Sequence, residues 1–252
     1  MAWHTGGTPL LVSKGRGMNM KVEVRLLGPL EVRGPEGPVR FTGARRRAVF
    51  ALLALRTGRL VSRSALVDGL WGEDVPPTGT KTLQGHVAKV RRALELAGAD
   101  GVVVTREPGY LLDVTQVVVD VEEFDEHLRC GRYAEALRMH RGDPLADCPV
   151  EGWASAEIVR LREALAFAEE NHAAALCLDG RYAEAIGQLE RLVALYPLRE
   201  SLWDLLMEAQ YRAGRPGDAL RTYRRVRALL VEEFGMEPGD ALRRREAAVL
   251  AG

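Results

Sequence analysis

The sequence predicts a mainly α-helical protein with a small β component, arranged as two consecutive modules. Three observations lead to this fold class. Short segments within residues 22–41 alternate apolar and charged side chains, as half-buried strands do. Residues 79–97 repeat apolar side chains every three or four positions, as an amphipathic helix does. A Gly-Arg-x-x-acid-Ala pattern at Gly180 recurs 34 residues later at Gly214, which is typical of stacked helical hairpins.

Length and composition narrow the class of protein. The 252 residues suffice for two ordinary domains. Residues 1–20 are rich in glycine and lack periodicity, so we expect a disordered tail, with Met18 and Met20 as alternative translation starts. No apolar run approaches the ~18 residues of a membrane span, and the three cysteines fit neither a zinc site nor a disulfide framework. We therefore expect a cytoplasmic protein without a metal, a cofactor or a membrane contact.

The net charge of zero conceals an asymmetry between the two halves. Residues 21–115 hold 15 Lys and Arg against 10 Asp and Glu, whereas residues 116–252 hold 18 against 25. A basic front half and an acidic back half indicate nucleic acid as the partner of the first module and protein as the partner of the second.

The first module begins with strands. The alternation predicts three short strands near residues 22–26, 30–32 and 39–41, which form a small antiparallel sheet. A Gly-Pro pair turns the chain after the first strand, and a Gly-Pro-Glu-Gly-Pro segment turns it after the second.

Three helices and a hairpin follow. The predicted helices span about 43–57, 64–70 and 79–97. Ser62 is positioned to be the N-cap of the second helix, and residues 102–112 form a β-hairpin around a Glu-Pro-Gly turn. Three helices followed by a hairpin are typical of a winged helix-turn-helix domain. The leading sheet resembles the OmpR/PhoB type, which we predict over residues 21–115.

The third helix has two contrasting faces. Its apolar stripe consists of Leu83, Val87, Val90 and Leu94. The opposite face consists of Lys81, Gly85, Ala88, Lys89 and Arg92, with Gln84 and Arg91 at its edge. Small side chains ringed by cations and an amide suit insertion into a DNA major groove, because they allow close approach and can bond base edges and phosphates.

The candidate DNA-binding residues come from three places. They are Thr80, Lys81, Gln84, Lys89, Arg91 and Arg92 on the third helix, Arg45 or one of its neighbours Arg46 and Arg47 at the start of the first helix, and Arg106 in the hairpin. For three of them a second role stays open. Thr80 caps the helix or touches DNA, Arg91 reaches a phosphate or pairs with Glu95 four residues on, and Arg106 enters the minor groove or stays in solvent.

The second module, residues 116–252, is an internal repeat. Gly131, Gly180 and Gly214 each begin a similar heptapeptide, and the last two are one tetratricopeptide (TPR) period apart. Each glycine is predicted to end one helix, and the alanine five residues later lets the next helix cross closely. Stacked hairpins then form an α-solenoid, with Trp153 and Trp203 expected in its core.

Signatures of catalysis are lacking. The five histidines show no metal-ligand spacing, and the sequence has neither a phosphate-binding GxxxxGK[ST] loop nor a G-x-S-x-G nucleophile elbow. We therefore predict that the protein is not an enzyme.

Eight segments together resemble the antibiotic regulatory proteins of actinobacteria, the SARP family. This family joins an OmpR/PhoB-type winged helix to a bacterial transcriptional activator domain with TPR-like repeats. The segments, in the family's order, are 25–32, 66–72, 83–94, 106–110, 119–124, 141–147, 196–200 and 231–239. One departure is the short stretch between Phe124 and Gly142, which leaves room only for abbreviated helices near 122–129 and 132–140.

The resemblance implies a transcriptional activator of secondary-metabolite genes. It implies binding to tandem direct repeats of double-stranded DNA near promoters, as a homodimer on the DNA, with recruitment of RNA polymerase holoenzyme through its sigma and alpha subunits. The expected location is the cytoplasm, in association with the nucleoid.

Two other functions stay open at this stage. A TPR adaptor would use the winged helix to bind a protein, and it would leave no footprint on DNA. A repressor that responds to an effector would hold a small molecule in the solenoid, and its deletion would raise rather than lower transcription.

Overall fold

The computed structural model of the protein describes residues 21–252. Over these residues the chain forms seven β-strands and ten α-helices. The strands are β1 (Val22–Arg25), β2 (Glu31–Gly34), β3 (Gly37–Pro38), β4 (Val61–Ser62), β5 (Val103–Arg106), β6 (Gly109–Leu112) and β7 (Val117–Val119). The helices are α1 (Ala44–Ala54), α2 (Arg63–Trp71), α3 (Gly79–Glu95), α4 (Asp120–Arg129), α5 (Tyr133–Arg138), α6 (Trp153–Leu178), α7 (Tyr182–Leu195), α8 (Glu200–Arg212), α9 (Pro216–Phe234) and α10 (Asp240–Ala251). The predominance of helix over strand confirms the predicted fold class.

The chain divides into two compact units. The first contains the described residues up to Leu26, Leu30–Val119 and Asp147–Ala154. The second contains Leu27–Pro29, Asp120–Ala146 and Ser155–Gly252. None of the helices in residues 21–252 is long and apolar enough to cross a lipid bilayer.

A four-stranded sheet opens the first unit, in the order β3-β2-β1-β7. The third strand was predicted at residues 39–41, and this position is wrong. Gly34 pairs with Gly37 directly across a two-residue turn, so the pairing begins earlier in the chain. Val39 still donates its N–H to the Val32 carbonyl at 2.8 Å, and its side chain is buried.

Strand β7 was not predicted from the sequence. It pairs in parallel with β1, with Val22 opposite Val117. Val117 and Val119 are buried, whereas Val118 is 43% exposed. Three consecutive valines show no apolar–polar alternation, so the period of two becomes visible only once the strand has a partner.

The hairpin β5–β6 forms a second, three-stranded sheet with β4. Val61 lies opposite Tyr110, and Ser62 lies opposite Gly109. A Cβ atom on Gly109 would lie 1.9 Å from the Val61 carbonyl oxygen. Only glycine therefore permits this pairing, which joins the hairpin to the segment that leads into α2.

Helices α1 to α3 form the core of the first unit. The side chains from Ala48 to Ala54 in α1 are all buried, and Phe50 is completely so. The predicted N-cap of α2 is confirmed, because the Ser62 hydroxyl accepts the Ala65 N–H at 3.1 Å.

The segment Asp147–Ala154 belongs to the first unit. Asp147 pairs with Arg47 of α1 and accepts the Leu30 N–H at 2.9 Å. The indole N–H of Trp153 donates to the Ala65 carbonyl at 2.9 Å, and the Arg56 guanidinium lies 4.1 Å from the indole ring centre. The expectation that Trp153 belongs to the solenoid core is therefore wrong.

The repeat glycines end their helices as predicted. Gly131, Gly180 and Gly214 have φ angles of 68°, 73° and 74°. In the second copy the Gly180 N–H donates to the Cys177 carbonyl at 3.1 Å and the Arg181 N–H to the Leu176 carbonyl at 2.9 Å. The other two copies repeat this pair of bonds, which defines a Schellman motif.

The alanines five residues after these glycines are Ala136, Ala185 and Ala219, and all are completely buried. Helices α6 to α10 enclose a single apolar cluster, which includes Trp203 at 4% and Tyr223 at 6% exposure. The core position predicted for Trp203 is therefore correct.

The abbreviated first repeat is also confirmed, since α5 has only six residues.

Candidate nucleic-acid interface

Helix α3 buries one face and exposes the other, as its periodicity predicted. Leu83, Val87, Val90 and Leu94 are each at most 2% exposed. Lys81, Gln84, Lys89 and Arg92 are exposed. This burial sets the rotation of the helix about its axis, so the polar side chains share one solvent-facing surface.

The outer face of α3 is open to a ligand. Among the described residues, the side chains of Lys81, Gln84 and Lys89 have no hydrogen bond or ion pair. A Cβ atom on Gly85 would meet nothing within 4 Å, and Ala88 is exposed. The helix therefore presents unneutralised cations around a patch where another surface can approach the backbone closely.

Arg92 shares this face and has an acidic neighbour. Its Nη1 donates to Glu95 Oε2 at 3.0 Å, and the two side chains are 71% and 41% exposed. An exposed pair of this kind contributes only about 0–1 kcal/mol. Another acceptor, such as a phosphate oxygen or a base edge, can therefore replace Glu95 as the partner of Arg92 at little cost.

Arg91 turns away from this face and bonds the hairpin. Its Nε and Nη2 donate to the Val103 carbonyl at 3.0 and 2.8 Å, and Nη2 donates to Thr105 Oγ1 at 2.7 Å. Its guanidinium also lies 5.8 Å from the Tyr110 ring centre. The alternative pairing with Glu95 is therefore wrong, because Glu95 bonds Arg92 instead.

Thr80 lies on the first turn of α3 and is exposed. The N-cap residue is Thr78, and no side chain caps the helix start. Thr78 Oγ1 lies 3.3 Å from Thr82 Oγ1. The capping role considered for Thr80 is therefore wrong, and its hydroxyl faces solvent.

The three arginines that begin α1 have different surroundings. Arg45 donates to the Leu70 carbonyl, one of the last carbonyls of α2, and its guanidinium lies 5.6 Å from the Trp71 ring centre. Arg46 donates to the Thr42 hydroxyl. Arg45 is thus held by α2 and Arg47 by Asp147, whereas Arg46 bonds a threonine just before α1.

A groove of about 530 Å³ runs between α3 and the start of α1. Four cations line it, namely Arg40, Arg46, Lys89 and Arg92. Burial, and the nearby charges of Arg46, Lys89 and Arg45, lower the pKa of His86 on α3 below 6.5. The basic surface is thus wider than α3 alone. Arg46 was one of the three arginines considered for a phosphate contact, whereas Arg40 was missed because strand periodicity carries no information about which residue of the predicted strand lies beside α3.

The hairpin carries an exposed cation and a neutralised acid. Arg106 is exposed at its turn. Glu107 accepts two bonds from Arg63, at 2.8 Å from Nη1 and 2.6 Å from Nη2. Hydrogen bonds from Arg63 lower the pKa of Glu107, and the bonds to Glu107 and Tyr110 raise the pKa of Arg63. The ion pair therefore persists at neutral pH.

No group of three or more His, Cys, Asp or Glu side chains in residues 21–252 is arranged to hold a metal ion. The interface just described consists of cations, an amide and hydroxyl groups on α3, α1 and the hairpin. Its chemistry suits recognition of a polyanion with readable base edges.

Two protein families match successive parts of the chain. The family "Transcriptional regulatory protein, C terminal" matches residues 38–112. The family "Bacterial transcriptional activator domain" matches residues 114–250. The first match includes α3 and the hairpin, and the second covers the repeat helices.

Several characterised proteins are similar over most of the chain. The transcriptional regulator RedD of Streptomyces coelicolor is 37% identical over 91% of this chain and 71% of its own length. The regulatory protein DnrI of Streptomyces peucetius is 34% identical over 91% of this chain and 92% of its own.

A solved structure is similar over most of this chain. Mycobacterium tuberculosis EmbR, in complex with a low affinity phosphopeptide, aligns with a TM-score of 0.80 at 30% identity. The alignment covers 92% of this chain and 65% of the EmbR chain, so this protein spans about two thirds of that relative. On these matches, the chain belongs to the SARP family of DNA-binding transcriptional activators.

Proposed function

We propose that this protein activates secondary-metabolite genes by binding tandem direct repeats near their promoters and recruiting RNA polymerase holoenzyme through its sigma and alpha subunits. Two copies bind side by side as a homodimer on the DNA, in the cytoplasm, and the chain performs no catalytic step. The winged-helix domain, residues 21–115, supplies the DNA contacts, and residues 116–252 supply the protein contacts.

The observation that carries this proposal is the outer face of α3. Lys81, Gln84 and Lys89 lie on one exposed surface, without hydrogen-bond or ion-pair partners among the described residues. A helix with free cations, an amide and small residues fits the major groove. In the proposed complex Gln84 and Arg92 bond base edges, whereas Lys81, Lys89 and Thr80 bond phosphates.

The groove extends the proposed contact along the DNA backbone. Arg40 and Arg46 line the same groove as Lys89 and Arg92. We assign the phosphate contact of α1 to Arg46 rather than to Arg45, whose guanidinium already bonds the Leu70 carbonyl. Arg106 is placed over the minor groove that flanks the reading helix.

The test is a footprint on DNA by the full chain alone. A duplex is first selected from a random library, and its protected bases are then mapped. The expected pattern is a direct repeat with a spacing of roughly 10–11 bp or a multiple, because each copy must meet the same face of the duplex. Absence of protection by the pure protein would leave only the adaptor function.

Single variants then assign roles to the residues of α3. Lys89→Ala is expected to weaken binding to all DNA sequences alike, since it removes one phosphate contact. It should also make the slope of log affinity against log salt concentration shallower by about 1. Gln84→Ala or Arg92→Ala is expected to relax preference at one base pair, at a cost of about 1–3 kcal/mol. Arg224→Ala, an exposed arginine of α9, is the matched control and should leave binding unchanged. Wild-type affinity in all three α3 variants would show that another element reads the DNA.

A further inference from the structure

The hairpin β5–β6, hereafter the wing, is attached to both helices of the helix-turn-helix pair by arginine side chains. Arg63 is the first residue of α2, and Arg91 lies in the C-terminal half of α3. Their guanidinium carbons lie 5.9 and 5.8 Å from the centre of the Tyr110 ring, which is itself 5% exposed. Both distances are within the range of cation–π attraction.

Arg63 holds the wing turn at two points. Its backbone N–H donates to the Pro108 carbonyl at 3.1 Å, and its guanidinium forms two bonds to the Glu107 carboxylate. The Arg63 side chain is 28% exposed, whereas Glu107 is 75% exposed. The paired geometry is the one that guanidinium and carboxylate groups form most strongly.

Arg91 holds the other strand of the wing. Its three bonds to Val103 and Thr105 join α3 directly to β5. Because α3 reads the major groove in the proposed complex, this connection sets the distance and angle between the reading helix and the wing. Lysine cannot replace it, since an ammonium group lacks the planar, divergent donors that bond Val103 and Thr105 together.

The negative charge of Glu107 would oppose the approach of the wing to DNA. A free carboxylate beside Arg106 would be repelled by the phosphates, over a range set by the ionic strength. The bond to Arg63 cancels that charge. Arg63, which neutralises Glu107, lies outside the wing, 44 positions earlier in the chain.

We infer that Arg63 and Arg91 are positioning residues for DNA recognition: together they fix the wing against α2 and α3 through Tyr110, and Arg63 masks the charge of Glu107. Neither arginine needs to touch DNA. The inference rests on the proposed DNA binding, which it deepens by assigning the wing's orientation and charge to two specific side chains.

The first experiment measures hydrogen exchange in the free full-length protein, so it does not depend on DNA binding. Arg91→Met and Arg63→Met are expected to raise amide exchange at least several-fold over residues 103–112. Arg92→Met is the matched control, because it alters the adjacent residue of α3 and should leave the wing unchanged. Unchanged exchange of the wing in both variants would overturn the inference, whatever the protein binds.

The second experiment tests the masking of Glu107, using the duplex that the full chain selects from a random library. Arg63→Met is expected to weaken binding about tenfold or more at low salt and much less at high salt, because screening weakens the repulsion by the exposed carboxylate. Adding Glu107→Gln to Arg63→Met should remove the salt-dependent part of the loss, whereas the part that comes from the loosened wing should remain. Glu107→Gln alone should bind as well as wild type.

Two results would contradict the masking. If Glu107→Gln alone weakened binding as much as Arg63→Met, the bond would matter only for holding the wing. If the loss in Arg63→Met were independent of salt, repulsion would not be its cause. Failure to select any duplex would remove the proposed function, and the exchange experiment would still decide whether the arginines hold the wing.

The third experiment separates the wing from the reading helix on bound DNA. Arg91→Met should lose hydroxyl-radical protection in the flanking minor groove while keeping protection of base edges in the major groove. Arg91→Lys should fail to restore the minor-groove protection. Loss of both protections together would mean that Arg91 supports α3 itself, and rescue by lysine would mean that charge alone is needed.

Discussion

Helices α3 and α9 share an amphipathic pattern and a number of cations, but their exposed surfaces are very different. Each is amphipathic and carries four cations, and each buries an apolar stripe. In α9, Arg221 pairs with Asp218, while Arg225 and Arg227 reach Glu190 and Glu237 at 3.0 and 2.7 Å. In α3, Lys81 and Lys89 have no such partner among the described residues.

The difference shows that a count of cations does not identify a DNA-binding helix. The carboxylates that neutralise three of the four cations of α9 come from its own first turn, from α7 and from the loop after α9. Helix α3 has one nearby acid, Glu95, and an open surface around Gly85. What distinguishes the two helices is therefore the pairing of their charges, which depends on the fold.

The largest expected effect is on stability and concerns the buried apolar stripe that both helices have. Leu83→Ala in α3 and Leu230→Ala in α9 remove side chains that are 0% and 2% exposed. Each is expected to lower the free energy of unfolding by about 2–5 kcal/mol, since a buried leucine loses its contacts and leaves a cavity. Chemical denaturation of the two variants measures this. A loss below about 1 kcal/mol for Leu83→Ala would mean that α3 is not anchored by its stripe.

The second effect concerns the outer faces. Lys89→Glu places a negative charge on the proposed DNA face, and Arg224→Glu places one on the exposed side of α9. We expect the first to weaken DNA binding on the order of 10- to 100-fold at low salt and the second to change it less than about twofold. Equilibrium titration of the selected duplex compares them. Equal losses would mean that net charge, rather than the face of α3, governs affinity.

A third change would make α3 differ even more from α9. Glu95→Gln removes the acid that pairs with Arg92, so the guanidinium becomes free to bond DNA. Because the exposed pair contributes only about 0–1 kcal/mol, we expect affinity to rise about two- to fivefold at low salt. Weaker binding in Glu95→Gln would indicate that Glu95 orients Arg92 rather than competing for it.

The smallest effect is the response of α9 to acid. A hydrogen bond from Arg227 lowers the pKa of Glu237 below its ordinary 4.5. The pair therefore stabilises the fold above pH 4.5, and this contribution is lost as the pH falls through the lowered pKa. The difference in Tm between wild type and Glu237→Gln should be constant above pH 4.5 and shrink below it. A difference that grows on acidification would contradict this assignment.

The sequence predicted those parts of the fold that local periodicity encodes. The buried stripe of α3, the Ser62 cap and the helix ends at Gly180 and Gly214 each depend on residues a few positions apart. All are confirmed. Strand β7 was missed because three valines alternate in burial only through their pairing with β1, almost a hundred residues earlier in the chain.

The candidate site was predicted less completely, because side-chain partners depend on tertiary contacts. Arg91 and Arg92 are adjacent in sequence, yet one bonds the wing and the other remains in solvent. In the sequence, the position of Arg91 at the edge of the polar face was the one indication that its side chain turns away from that face. Arg45 gave no comparable signal, since its partner, the Leu70 carbonyl, lies 25 residues away.

The segment Asp147–Ala154 has a practical consequence for anyone who dissects this protein. A fragment that stops near residue 119 would omit the indole of Trp153 and the carboxylate of Asp147, leaving the Arg47 guanidinium without its counter-ion. The amide of Glu151, which donates to the Gly69 carbonyl at 2.8 Å, would be lost as well. A DNA-binding fragment should therefore keep the segment Asp147–Ala154, with a flexible linker in place of residues 120–146.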